Sequence, residues 1–166
     1  MDESNAGKEF SRNPTLDDLV ELCQHLNAVG AKYVVIGGFA VIHYGFVRGT
    51  GDIDLLVDNL EQNILKIQQG LMYLPDKAAK YLNVKDVTDY HVVRIADEIV
   101  IDLIESACDI TYQQVKDYIV YEAINNVEIP FLSIEWLIKT KQSYREKDII
   151  DRKFLEQLLK LKKHNS

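Results

Sequence analysis

Asp52 and Asp54 flank a single apolar residue in Thr50-Gly51-Asp52-Ile53-Asp54-Leu55-Leu56-Val57. Side chains on a strand alternate faces with a period of two, so both carboxylates point one way and Ile53 points into the core. Two carboxylates held close together repel each other unless a positive charge sits between them. Oxygen ligands of this hard type suit Mg²⁺ or Mn²⁺. Asp102 is a third candidate, a single acid within the apolar run Val100-Ile101-Asp102-Leu103-Ile104. A carboxylate there is costly unless paired or metal-bound, and the alternatives are a strand-end position or a salt bridge to Arg94.

Gly37-Gly38 stands between the run Tyr33-Val34-Val35-Ile36 and Phe39-Ala40-Val41-Ile42-His43-Tyr44. The first amides of a helix are unpaired and its positive dipole end favours an anion, while glycine lets phosphate oxygens approach the backbone. A phosphate cradle beside a carboxylate pair is the minimum for handling a metal-bound nucleotide. Arg48 and Thr50 lead into the acidic strand. Thr50 is expected to orient Asp52 by a hydrogen bond, and Arg48 to meet phosphate or to pair with Asp58. Lys141 continues the stripe Ile134, Leu137, Ile138 by helical spacing, with Arg145 one turn further. Lys141 reads equally as a phosphate contact or as an ion pair with Asp148 or Asp151, whereas Arg145 reads as an ion pair.

These residues need a scaffold. Thr15 precedes an apolar stripe at helical spacing with Asp17 and Asp18 in its first turn, and Gly30 is a plausible stop. Strands are expected over residues 33–36 and 53–57. Asp58 and Glu61 are expected to form a capping box for a helix reaching Leu71. Residues 74–89 suggest a helix with loops. Strands at 91–95 and 98–104 turn at Asp97, and strands at 118–121 and 127–132 turn around Asn125-Asn126. Ser133 is expected to cap a helix, and an amphipathic helix covers 149–161. The pattern is α+β or α/β, a mixed sheet flanked by helices. Residues 1–13 read as a flexible N-terminus, residues 14–166 as one domain, and residues 133–164 as its C-terminal helices.

The 166 residues suffice for one domain with a core, and 47% hydrophobic with 27% charged is ordinary for a soluble protein. No apolar run approaches the ~20 residues that cross a bilayer. No secretory signal is visible, and Cys23 and Cys108 match no metal or redox spacing, so they read as buried in a reduced, cytoplasmic setting. A net charge of −7 disfavours broad nucleic-acid binding, although Lys160, Lys162 and Lys163 form a local basic patch. That patch reads as a cationic helix end. His43, His91, Trp136 and the nine tyrosines read as packing or surface residues.

Gly37-Gly38, Asp52-Ile53-Asp54 and Asp102 together resemble the Gly-Gly/Ser…Asp-h-Asp…Asp signature of the DNA polymerase β-type nucleotidyltransferase superfamily (h is apolar). The fuller stretch Gly37-Gly38-Phe39-Ala40, Tyr44-Gly45, Arg48-x-Thr50-x-Asp52-Ile53-Asp54-Leu55 is similar to small bacterial nucleotidyltransferases grouped with AbiEii-type toxins of toxin–antitoxin systems. Leu137-Ile138-x-x-Lys141 and Arg145-x-Lys147-Asp148-x-x-Asp151 resemble that group's C-terminal helical motif. Gly38 departs from members that carry Ser there. The resemblance spans roughly residues 33–159, with 74–89 unmatched.

The resemblance implies a polymerase β-like fold and transfer of an NMP from an NTP to a hydroxyl on RNA (tRNA included), a protein or a small molecule. It implies that Asp52 and Asp54 hold the Mg²⁺ or Mn²⁺ travelling with the triphosphate, and that Asp102 joins them at a second ion. Gly37 and Gly38 would bind the β/γ-phosphates. A partner protein could supply the acceptor surface. The alternative is an inactive nucleotide- or partner-binding module on the same fold. Its weakness is that a dead site has no reason to keep clustered acids.

Overall fold

The computed structural model describes residues 11–165. The chain enters through Arg12, whose backbone N–H donates to Glu98 O at 2.9 Å and whose guanidinium grips both oxygens of Asp18 at 2.6 and 2.7 Å. The N-terminal stretch expected to be flexible is therefore tied down at Arg12, and its residues 1–10 lie outside the described residues. Helix α1 (Leu16–Ala28) starts at Thr15 with a full capping box to Asp18. The Arg12 guanidinium holds the Asp18 carboxyl down at about 2. Leu19, Leu22, Cys23 and Leu26 form its buried stripe. Gly30, at φ +72, ends the helix in the left-handed conformation that glycine adopts without penalty.

A six-stranded mixed sheet follows, built from β1 (Tyr33–Ile36), β2 (Ile53–Val57), β3 (Val92–Ala96), β4 (Val100–Ile104), β7 (Ile119–Ile124) and β8 (Val127–Leu132). Their order is β3-β4-β2-β1-β8-β7. β5 (Ser106–Ala107) and β6 (Ile110–Thr111) make a separate hairpin, turned by Cys108 and Asp109 at positive φ. Central strands β1 and β2 are almost wholly buried, as expected where helices cover a sheet. Helix α2 (Gly37–His43) follows β1 directly, and α3 (Glu61–Leu71) packs on α1, which in turn packs on β8. A 3₁₀ turn (Ala78–Tyr81) and α4 (Val84–Tyr90) occupy the stretch expected to be a helix with loops. The short α5 (Tyr112–Val115), α6 (Ile134–Lys139) and the long α7 (Glu146–His164) complete the chain.

The architecture is the expected α+β one, a mixed sheet flanked by helices. Asn125 and Asn126, at φ 52 and 63, make the tight β7–β8 turn that their type favours. Several local expectations are corrected. The Asp58/Glu61 capping box does not form: Leu60 is the cap residue, and Glu61 already lies in the first turn. Asp58 is buried instead, accepting from Gln113 at 3.2 Å. Ser133 occupies the cap position of α6, but its hydroxyl makes no capping bond. Cys23 is buried as expected, whereas Cys108 is exposed. No helix among the described residues is long and apolar enough to cross a membrane.

Candidate active site

Strand pairing places the three aspartates. β2 runs parallel to β4 with Asp54 opposite Asp102, and antiparallel to β1 with Ile36 opposite Asp54. β3 runs antiparallel to β4 with Arg94 opposite Asp102. Ile36, Asp54, Asp102 and Arg94 thus form a row across four adjacent strands. Paired residues share a face, and Asp52, two positions before Asp54, lies on that face too. Carboxylate oxygens of Asp52, Asp54 and Asp102 all lie within 4.8 Å of one another.

Charge crowding shows in the acidities. Burial, followed by the charges of Asp52 and Asp102, pushes Asp54 up to about 8. Asp52 is also raised, by burial first and then by Asp102. Arg94 opposes them. Its Nε and one terminal nitrogen donate to the two oxygens of Asp102 at 2.9 Å each, and the same terminal nitrogen donates to Asp52 at 3.0 Å. This realises the Arg94 salt bridge that sequence offered for Asp102, and the geometry joins Asp102 to the other carboxylates as well.

Gly37 begins α2 at φ +67, a left-handed conformation that other residues adopt at a cost. A Cβ here would fall 2.1 Å from Asp54 Oδ2, so glycine is what lets the backbone lie against the acid. At Gly38 a Cβ would meet Thr50 Oγ1 at 2.6 Å and Thr50 Cβ at 2.8 Å. The Thr50 side chain thus fills the space a serine at position 38 would need. Thr50 donates to the main-chain carbonyl of Asp52 at 3.1 Å, bracing the strand entry and leaving the carboxylate alone.

The opposite wall comes from the C-terminal helices. Lys141 and Asp151, 5% and 1% exposed, pair at 2.9 Å, with Asp148 at 3.6 Å from the same ammonium. Arg48 donates to the same Asp151 oxygen at 2.9 Å. The expected Arg48–Asp58 pair is therefore replaced by one with Asp151, and Lys141 takes the ion-pair alternative. Lys141 is not on the extended α6 stripe, because that helix ends at Lys139. Arg145 precedes α7, is exposed and forms no ion pair among the described residues, contrary to its reading as an ion-paired cation. Lys147 also lines the cleft, although sequence reasoning names it only within the C-terminal motif and gives it no site role. The signal available was the dense charge at 145, 147, 148 and 151. The cleft enclosed by these walls measures about 280 Å³ and includes Gly37, Gly38, Arg48, Thr50, Lys141 and all three acids. His43 lies elsewhere, stacked on Phe131 with ring centroids 3.8 Å apart.

No protein-family model matches the sequence, and no curated protein matches it either. Solved structures do match. A protein from Thermotoga maritima assigned to the nucleotidyltransferases aligns with a TM-score of 0.53 at 15% identity, over 89% of this chain and 90% of its own. An antigenic nucleotidyltransferase-like protein from Paracoccidioides brasiliensis gives 0.51 at 17% identity, over 89% and 79%. The chain has a nucleotidyltransferase fold. Within this nucleotidyltransferase fold, β1, β2 and β4 carry the glycine pair and the acids to one cleft.

Proposed function

We propose that the protein is a metal-dependent nucleotidyltransferase, moving an NMP from an NTP to a hydroxyl acceptor. One observation carries the reading: three carboxylates converge within 4.8 Å beside a glycine pair, at one cleft of a nucleotidyltransferase fold. The donor set fits a hard divalent ion, being all oxygen, clustered and held on rigid strands. Burial, and after it the charges of Asp52 and Asp102, raise Asp54, and a bound cation would offset both. When bound, Mg²⁺ or Mn²⁺ supplies charge neutralisation and Lewis acidity.

The chain's own residues do the rest. Asp52 and Asp54 would hold the ion with the triphosphate, and Asp102 completes the acidic face. Gly37 and Gly38 would admit the β- and γ-phosphates to the backbone at the start of α2. Lys141 and Arg48, both anchored on Asp151, add fixed positive charge beside them. The acceptor oxygen bonds to the α-phosphorus while the bond to the pyrophosphate oxygen breaks, and the hydroxyl proton passes to a carboxylate. Positioning and electrostatics supply the acceleration. The cationic rim of Arg145 and Lys147 suits an anionic acceptor such as an RNA end, while protein or small-molecule hydroxyls remain in the same reaction class. The motif likeness to AbiEii-type proteins supports a toxin–antitoxin setting with a partner protein.

Incubation of the full chain with labelled NTPs, Mg²⁺ and total RNA or cell extract, following the label, tests the proposal. Label transfer with pyrophosphate release, lost in Asp52→Ala, is the expected result. Nucleotide binding without pyrophosphate release under all conditions would identify an inactive binding module instead.

A further inference from the structure

We infer that Arg94 is a built-in second cation of the acidic cluster, so that the site takes one divalent ion where the signature implies two. The inference rests on the functional reading above and concerns how that site is charged.

Its basis is where the guanidinium sits. One terminal nitrogen of Arg94 lies 2.9 Å from Asp102 and 3.0 Å from Asp52, the position an ion shared by those two carboxylates would occupy. Nε closes the second bond to Asp102, making the two-point fork that arginine forms with carboxylates. Both Asp102 oxygens are thereby engaged. The placement does not depend on a loop, because Arg94 faces Asp102 directly across the β3–β4 ladder. By contrast, no arginine or lysine among the described residues pairs with the Asp54 carboxylate, whose oxygen abuts Gly37. The ligand capacity left for a metal is therefore on Asp54 and on the remaining oxygen of Asp52.

Charge supports the same division. The three acids carry three negative charges when ionised; one divalent ion and one guanidinium match them. Lys141 does not serve as that extra cation, since Asp151 holds it at 2.9 Å. A second ion bridging Asp52 and Asp102 at the ~2.1 Å that Mg²⁺ requires would have to evict Arg94 from three hydrogen bonds.

The test is electron paramagnetic resonance of the full chain titrated with Mn²⁺, alone and with α,β-methylene-ATP. Two Mn²⁺ ions at the ~4 Å spacing of two-metal sites give an exchange-coupled signal, and one does not. Wild type is expected to bind one Mn²⁺ per chain without coupling. Arg94→Ala, with Arg94→Gln as a second variant and circular dichroism to confirm folding, is expected to bind two and to show coupling. A coupled signal in wild type overturns the inference whatever the variants do, and leaves the nucleotidyltransferase reading standing. A folded Arg94 variant that still takes one ion overturns it equally. Absence of Mn²⁺ binding by wild type removes both this inference and the functional reading.

Discussion

Asp54→Asn should make the metal-free protein more stable. The carboxylate lies within 4.8 Å of two others, and at that distance each like-charge pair costs about 3 kcal/mol with an effective dielectric near 20. The rise from the usual 3.8 to about 8 sets an upper bound of roughly 6 kcal/mol at 1.36 kcal/mol per unit. Arg94 and Lys141 offset part of the repulsion, so a net gain of about 2–3 kcal/mol near pH 8 is expected. For a chain of this size that is a Tm increase of roughly 5–10 °C. The sign follows from linkage: the folded group is raised, so its contribution is intact below the ordinary 3.8 and is lost as pH climbs towards about 8. The gap between variant and wild type should therefore widen from pH 4 to pH 8. Thermal unfolding in EDTA across that range measures it. Saturating Mg²⁺ should reverse the order, because only wild type keeps the full ligand set. A variant less stable than wild type at pH 8 in EDTA, or an equal Mg²⁺ response in both, would refute the electrostatic account.

Other outcomes follow from the same geometry. Asp151→Ala strips the buried Lys141 and the partly buried Arg48 of their shared partner and should cost about 3–5 kcal/mol in urea unfolding, whereas Lys141→Met with Asp151→Leu should recover much of it. Gly38→Ser should destabilise by about 1–3 kcal/mol through overlap with Thr50, with Thr50→Gly relieving the loss in a double-mutant cycle. Gly37→Ala should displace Asp54 and abolish Mn²⁺ binding by titration calorimetry while the fold persists by circular dichroism. Asp18→Ala removes the Asp18 half of the α1 capping box and the Arg12 anchor and should cost about 1–2 kcal/mol at neutral pH. Because Arg12 holds Asp18 down, wild type should lose that same increment only as pH falls from about 4 towards 2.

Elements governed by local chemistry were the readable ones. β1 and β2 lie at the positions that their β-branched runs and glycine boundaries indicate, and Thr15 and the Asn125-Asn126 turn behave as their side chains favour. The period-two argument places Asp52 and Asp54 on one face, and the cleft contains them. What escaped was set by contacts distant in sequence. Asp58 fails as a cap because Asn63 bonds the carbonyls of Asp58 and Lys32, which tie this segment to the end of β1. Lys141 arrives on a loop because α6 stops after one and a half turns, with the Thr140 hydroxyl on Leu137 O at 2.6 Å. Arg48 meets Asp151 across 103 residues, a pairing no spacing rule could anticipate. Arg94 was seen only as a partner of Asp102, since its second contact, with Asp52, depends on strand order.

The β2–β4 pairing frees the spacing of the acids from the part of the joining chain that precedes β3, the strand that supplies Arg94. Spacing between Asp54 and Asp102 is set by neighbouring main chains in parallel register, and the excursion through α3, the 3₁₀ turn and α4 has no part in measuring it. That excursion is open to insertion: α3 must stay, because its Ile64, Ile67 and Leu71 are core, but a foreign insert near residues 75–77, where the chain is exposed, leaves the ladder untouched. New acceptor-reading modules could be grafted onto such a scaffold while the acids hold their positions.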